Sequence, residues 1–222
     1  DKPFIVKNFR KYFRKIAKWH SSGKFLDVGC ALGYGVEMAL SEGFDAYGFD
    51  PSTFATNRAK ELVGDKRIQT GTIQDVTYPP KSFNVITLFD VFEHLADPRG
   101  DLVKLKNLLS PKGILVIATG DTGSMLAKVL KRRWTFYIPP QHLFFFSRKN
   151  LLTILGQAEF EPLELFRIGK WLSVRYVFHL ARTTGESRMA SFLYPIMNTS
   201  ALGNLSLYLP VRDNMVVIAR KL

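Results

Sequence analysis

From residue 24 onward the chain alternates short apolar runs with amphipathic stretches of about ten residues, a rhythm that confines it to βαβ units building a parallel sheet. Residues 24–28, 45–49, 67–70, 83–88 and 114–119 read as strands, being short and rich in Val, Ile, Leu and Phe. Such continuous runs suit a sheet covered on both faces. Residues 34–41, 53–63 and 101–109 read as helices between them, with Asp97 and Pro98 leading into the last and Pro111 and Gly113 following it. A further helix is expected over 148–158, capped by Ser147, and the last two strands over 163–168 and 215–219. Residues 169–210 break the rhythm. They carry Trp171, Leu172, Tyr176, Phe192 and Tyr194 and predict an insertion of one or two helices, since a structureless loop of that length is improbable in a compact domain. Two uses stand open for it: a flap packed on the core, or an apolar wall for a substrate or partner.

A chain of 222 residues makes one elaborated domain spanning 1–222 the expectation. Its single cysteine, Cys30, excludes an intramolecular disulfide and a Cys-based zinc site and favours a reducing, cytoplasmic setting. No apolar run approaches the ~20 residues of a bilayer-spanning helix, and no signal-peptide block opens the chain. Because the chain starts at Asp1 and not at Met, a trimmed or processed form with an upstream segment is expected. The net charge of +12 is concentrated at the N-terminus, where residues 1–24 hold eight Lys and Arg against Asp1 alone. Phe9, Tyr12, Phe13, Ile16 and Ala17 recur at helical spacing there, so residues 1–23 predict a helix with an aromatic stripe and a basic back. Its expected place is packed on the domain with the cations solvated; the rival use is peripheral contact with an anionic membrane or a nucleic acid.

The first strand ends in Asp27-Val28-Gly29-Cys30-Ala31-Leu32-Gly33-Tyr34-Gly35, a turn whose small residues let a ligand approach the backbone at the start of a helix. A dinucleotide fingerprint G-x-G-x-x-G begun at Gly29 puts Ala31 and Tyr34 at its other glycines, and the tyrosine would obstruct a pyrophosphate. A nicotinamide oxidoreductase is therefore disfavoured, and a P-loop is missing its Gly-Lys-Ser/Thr. About twenty residues on, Asp50 closes the second strand; a carboxylate accepts two hydrogen bonds at once and so matches a ribose diol, or else caps the helix that follows. The turn resembles the first motif of class I S-adenosylmethionine-dependent methyltransferases, with Ala31 at the middle glycine. That resemblance implies a Rossmann-like, seven-stranded, mainly parallel α/β sheet with an antiparallel last strand. It implies S-adenosyl-L-methionine held by Asp27, Gly29, Cys30, Gly33, Asp50, Ile73 and Phe89, with Ile73 in Gly71-Thr72-Ile73-Gln74-Asp75 offering a backbone contact to the adenine.

Phe89-Asp90-Val91-Phe92-Glu93-His94, the loop to Asp97-Pro98, Leu109 to Gly113, and Gln141-His142 to Ser147 together resemble the subgroup related to the ubiquinone-biosynthesis O-methyltransferases, over residues 24–168. Methyl transfer from a sulfonium releases a neutral leaving group, so such an enzyme chiefly aligns the acceptor with the methyl carbon and removes a proton from a hydroxyl. His142 and His94 are the base candidates, because imidazole titrates near neutral pH; lining the cofactor pocket or bonding a loop is their plain alternative. Some relatives, small-RNA 2′-O-methyltransferases included, bind a divalent metal through an acid, a Glu-His pair and a further histidine, which would be Asp90, Glu93, His94 and His142 here. The loop from Lys128 to Pro140 mixes Lys131, Arg132 and Arg133 with Trp134, Phe136 and Tyr137 and in this fold overhangs the acceptor. The reading is O-methyl transfer to a small-molecule, glycosyl or lipid-linked acceptor, against a non-catalytic module of the same fold binding RNA or an anionic membrane.

Overall fold

The computed structural model describes residues 2–183, 188–199 and 201–222. Helix α1 (Lys2–Ile16) precedes β1 (Gly23–Val28), α2 (Tyr34–Ser41), β2 (Phe44–Asp50), α3 (Thr53–Val63), β3 (Ile68–Thr70), β4 (Phe83–Phe89), α4 (Pro98–Leu108) and β5 (Leu109–Gly120). The chain continues through α5 (Met125–Leu130), α6 (Arg148–Gln157), β6 (Phe160–Ser173), α7 (Val174–Thr183), α8 (Arg188–Thr199) and β7 (Ser206–Lys221). The seven strands form one sheet in the order β3-β2-β1-β4-β5-β7-β6, with β7 antiparallel to both neighbours and every other pairing parallel. The expected sheet and its reversed last strand are both present.

The apolar runs of β1, β4 and β5 become the centre of the sheet, and their side chains feed two cores, one on each face. Leu26, Ile86, Leu88, Leu115 and Ile117 pack with α4 and α6 on one side. Phe25, Val85, Val116 and Ala118 pack with α1, α2 and Ala59 of α3 on the other. Side chains alternate across a strand, so a strand with helices on both faces must be apolar at every position. Capping follows the sequence as read. The Ser147 hydroxyl accepts from Asn150 N while Asn150 reaches back, and Asp97 accepts from Gly100 N at 3.0 Å ahead of Pro98. That cap starts α4 three residues before the expected Asp101.

Three boundaries move. The expected turn at Pro111 and Gly113 lies inside β5, where Phe83 pairs Leu109 and Val85 pairs Ile114, so residues 110–113 bulge out of the ladder. The strand expected over 163–168 runs from Phe160 to Ser173, and the one over 215–219 begins at Ser206. Residues 170–173 and 206–209 pair beyond the body of the sheet, so both ends of the predicted insertion are strand and its middle holds α7 and α8. Of the region 169–210, residues 184–187 and Ser200 lie outside the described residues, as does Asp1 of the N-terminal segment.

Helix α1 buries Phe4, Tyr12, Phe13 and Ile16 against the sheet; Phe13 stacks on Phe25 with ring centroids 5.5 Å apart, and Tyr12 on Phe89 at 4.7 Å. Ala17, expected in the stripe, is exposed beyond the last turn. Of the basic back, Arg10, Arg14 and Lys18 are exposed as expected, but four lysines depart from the expectation of solvated cations. Lys2 pairs with Glu37, Lys15 with Glu164, Lys11 donates to the carbonyl of Gly169 at 2.7 Å, and Lys7 donates to Ser206 at 2.9 Å. Lys7 and Lys11 also lie over the Trp171 ring. These lysines tie α1 to α2 and to the β6–β7 hairpin, because each long stem lies along apolar surface while its ammonium reaches an acceptor.

Candidate active site

The turn after β1 is built by glycines that no other residue could replace cheaply. Gly29 (φ 69°) and Gly33 (φ 81°) are left-handed; a Cβ on Gly29 would lie 2.5 Å from Val91 Cγ2, and one on Gly33 would lie 2.9 Å from Ala59 Cβ. Ala31 holds φ 44° with a Cβ attached, a conformation costing an L-residue about 1–2 kcal/mol. Ala31→Gly is therefore expected to raise unfolding free energy by about 1 kcal/mol, read from urea denaturation, with cofactor affinity unchanged. An unaltered midpoint would show that the alanine is unstrained.

Asp50 closes β2 half-buried beside this turn, its Oδ2 accepting from Ala31 N at 3.0 Å and its Oδ1 from Ser52 N at 2.9 Å. The carboxylate thus welds the turn to β2; the cap of α3 is not Asp50 but Ser52, whose hydroxyl accepts from Ala55 N at 3.3 Å. Each carboxylate oxygen retains a second lone pair. A diol presented beside Gly29–Gly33 finds an acceptor pair there, so the turn and the acid fit an adenosyl ligand. Cys30 lies buried with its N–H donating to Phe49 O at 3.0 Å, and burial, with Asp27 and Asp50 nearby, pushes its thiol pKa up, so it packs the turn as a neutral group.

Asp27 sits behind the turn. It is 3% exposed, accepts from the Thr87 hydroxyl at 2.7 Å, and its Oδ2 is 2.2 Å from where a Cβ on Gly35 would stand. Burial first, and the charge of Asp50, raise its pKa from 3.8 to about 7 against the pull of the Thr87 hydrogen bond. Between about pH 4 and pH 7 the folded protein keeps a proton that the unfolded chain has lost, so rising pH favours unfolding. Stability is expected to fall by up to about 1.4 kcal/mol per pH unit through that window. Denaturation of Asp27→Asn at pH 5 and pH 7 should show a smaller drop than wild type; equal drops would remove Asp27 as the source. Ile73 is buried in the core against the β3 exit, and Asp75 spends itself locally, accepting from Thr72 N and Thr72 Oγ1.

A second cluster forms at the end of β4, where a 3₁₀ turn over 92–94 carries Glu93 and His94. The carbonyl of Glu93 accepts from Leu143 N at 2.9 Å and Phe144 N at 3.1 Å, which draws the 141–144 segment onto the turn. His142 is thereby brought edge-on to His94 with ring centroids 4.6 Å apart. His94 Nδ1 lies 2.7 Å from Gln141 O and His142 Nδ1 lies 2.6 Å from Phe136 O. A carbonyl only accepts, so each Nδ1 carries a proton, and the lone pair of the neutral tautomer falls on Nε2. Burial holds the His142 pKa below the usual 6.5, which keeps that lone pair available at neutral pH. Glu93 is fully buried; its Oε2 accepts from the Thr119 hydroxyl at 2.8 Å, whereas Oε1 has no hydrogen-bond partner among the described residues. Burial, then the neighbouring Asp90, raises its pKa to about 7. Among the described residues, ligand atoms of Glu93, His94 and His142 lie within 4.8 Å of one another. Asp90 is not one of these three. It has φ 54° and accepts from Asn214 Nδ2 at 2.8 Å, a partner on β7 that no sequence pattern pointed to.

Asp90 instead lines a cavity of about 340 Å³ between α1, the end of β4 and the β6–α7 junction. Phe4, Phe9, Tyr12, Phe89, Trp171 and Tyr176 make its aromatic walls, with Asn8, Lys170 and Ser173 as polar groups. Phe89, expected beside the cofactor, puts its ring among these walls. Lys170 Nζ lies 5.9 Å from the Phe136 ring centroid, and Phe136 lies against His142 at 4.5 Å and stacks on buried Trp134. The aromatic half of the loop after β5 therefore supports the histidines, while Lys131, Arg132 and Arg133 stay exposed. Reading α1 as a packed helix missed its part in the cavity; the signal was present in Asn8 and Phe4, which lie about one and two turns from Tyr12 on the same helix.

A parallel sheet with one reversed strand at β7, a glycine turn after β1 and an acid after β2 define the class I methyltransferase fold. A family model described as a methyltransferase domain matches residues 5–165. The chain belongs to that family, and it is an S-adenosylmethionine-dependent methyltransferase. The ubiquinone biosynthesis O-methyltransferase of Aliivibrio fischeri is 26% identical over 179 residues, which cover 70% of this chain and 76% of that one. The enzyme of the same name from Rhodopseudomonas palustris is 33% identical over 101 residues, 43% of this chain and 39% of that one. A SAM-dependent methyltransferase structure from Archaeoglobus fulgidus aligns over 100% of this chain and 95% of its own with a TM-score of 0.67 at 18% identity.

Proposed function

We propose that the reaction is O-methyl transfer, with the acceptor hydroxyl of a small-molecule, glycosyl or lipid-linked substrate held in the aromatic cavity and its proton taken at the histidine pair. The observation that carries this reading is the pair of Nε2 lone pairs set by the Nδ1 contacts of His94 and His142 beside buried Glu93. Bound S-adenosylmethionine supplies the electrophilic methyl group. The Gly29–Gly33 turn and Asp50 hold the cofactor, and the cavity walls orient the acceptor for in-line attack. His142 takes the hydroxyl proton at Nε2 as the acceptor oxygen is held in line with the methyl group, which the cofactor, when bound, would give up to that oxygen while departing as a neutral thioether.

The unpartnered Glu93 Oε1 favours a second reading of the same cluster, in which Glu93, His94 and His142 hold a divalent cation. Bound there, the cation would lower the pKa of the acceptor hydroxyl. Labelled methyl transfer from S-adenosylmethionine to a simple catechol, before and after dialysis against a chelator, separates the two. Activity that survives chelation supports the histidine base. Activity lost and restored by Mg²⁺ or Mn²⁺ supports the cation. Methylation of amine probes with none of hydroxyl probes overturns O-transfer.

A further inference from the structure

The hairpin that carries α7 and α8 leaves an apolar face uncovered. On α8, Met189 (71% exposed), Phe192 (77%) and Ile196 (52%) recur at i, i+3 and i+7, and so line one side of the helix. Leu202 (57%) and Leu205 (54%), in the turn between α8 and β7, extend the apolar surface. Ala190 on the opposite side is buried, and α7 is half-buried over most of its length, so the inner side of the pair is already used in packing. Singly exposed apolar residues are ordinary, but a row of large ones on one helix marks a surface that meets something apolar.

Charge decides what that something is. Among the described residues from 168 to 212 the hairpin holds Lys170, Arg175, Arg182 and Arg212 and no acid, with Arg182 and Arg212 exposed, while Arg167 just before it is paired with Asp121. An apolar stripe in a basic setting matches the interfacial region of a bilayer bearing anionic headgroups, where apolar side chains enter the acyl boundary and cations stay among the phosphates. The hairpin is too short to span: among the described residues no helix is long and apolar enough to cross a membrane. The basic N-terminal helix, the other candidate for this contact, keeps Arg10 and Arg14 exposed but buries Phe4, Tyr12, Phe13 and Ile16 against the sheet, so it has no apolar row to insert.

We infer that α8 and the following turn form a monotopic docking surface for an anionic lipid bilayer. Tyr176 of α7 and Trp171 of β6 both line the aromatic cavity, so the docked hairpin would hold the cavity beside the lipid surface. The inference does not depend on which atom is methylated.

The test is co-sedimentation of the full chain with vesicles of phosphatidylcholine alone and of phosphatidylcholine mixed with phosphatidylglycerol. Wild type should sediment with the mixed vesicles, far less with the neutral ones, and more weakly as salt is raised. Phe192→Glu with Ile196→Glu should weaken binding at least about tenfold, with melting temperature and S-adenosylmethionine affinity unchanged. Arg10→Glu with Arg14→Glu on α1 should change it by less than about threefold. Should the glutamate pair unfold the protein, Phe192→Trp serves instead, its emission expected to shift to the blue on mixed vesicles and to be quenched by brominated lipid. No sedimentation, sedimentation indifferent to the α8 substitutions, or loss only in the α1 variant overturns the inference. So does a dimer in light scattering that the α8 substitutions convert to monomer, since a second copy would then cover the face. A failed vesicle assay with intact cofactor binding and methyl transfer would leave the catalytic reading standing.

Discussion

Replacing Asp50 with alanine is expected to weaken S-adenosylmethionine binding by at least about 10²-fold, measured by calorimetry. Two hydrogen bonds to a charged acceptor are worth about 1.5–3 kcal/mol each, and both ribose hydroxyls would lose their partner together. The same carboxylate holds Ala31 N and Ser52 N, so the glycine turn should loosen and the melting temperature should fall as well. Asp50→Asn separates the two roles. Its amide keeps one acceptor oxygen but turns a donor toward one of the two backbone N–H groups, so stability should return only in part while affinity stays low. An alanine variant that binds within threefold of wild type would place the ribose elsewhere.

His142→Ala is expected to lower turnover by about 10²–10⁴-fold and leave cofactor affinity unchanged. The pH profile gives the discriminating readout. With its pKa held below 6.5 by burial, His142 is protonated and idle in acid, so wild-type turnover should rise through that pKa and level off near neutrality. The residual activity of the alanine variant should lack this acidic limb. A variant that keeps the limb, with only KM raised, would mean that His142 merely anchors the 136–142 segment through Phe136 O. Because Phe136 packs directly on this ring, its substitution is expected to be non-additive with His142→Ala.

Residues whose role follows from local periodicity were legible in the sequence. The helices at 34–41 and 53–63 lie where the spacing puts them, as do the Ser147 cap and the strand ends that present Asp27 and Asp50. Period and turn chemistry depend on neighbours within a few residues, so no tertiary information is needed to read them. Motif order alone also gathered the glycine turn and Asp50 into one site, because in a parallel sheet consecutive βα turns emerge at the same edge.

What the sequence left open depends on residues far apart along the chain. His94 and His142 were each named as bases, yet their approach rests on the carbonyl of Glu93 receiving Leu143 N and Phe144 N across about fifty residues. Asp90 was grouped with them by resemblance to metal-binding relatives, and the fold turns it toward Asn214 and the cavity. The lysines of α1 read as a solvated back, because nothing local reveals that the β6–β7 hairpin lies within reach of their ammonium groups. The chain by itself therefore determined a βαβ sheet with a nucleoside-binding edge. Only the tertiary structure decided which polar groups are buried there, which lone pairs remain free, and which apolar face of the insertion is left uncovered, because burial and pairing are properties of surfaces that meet only after the strands are laid side by side.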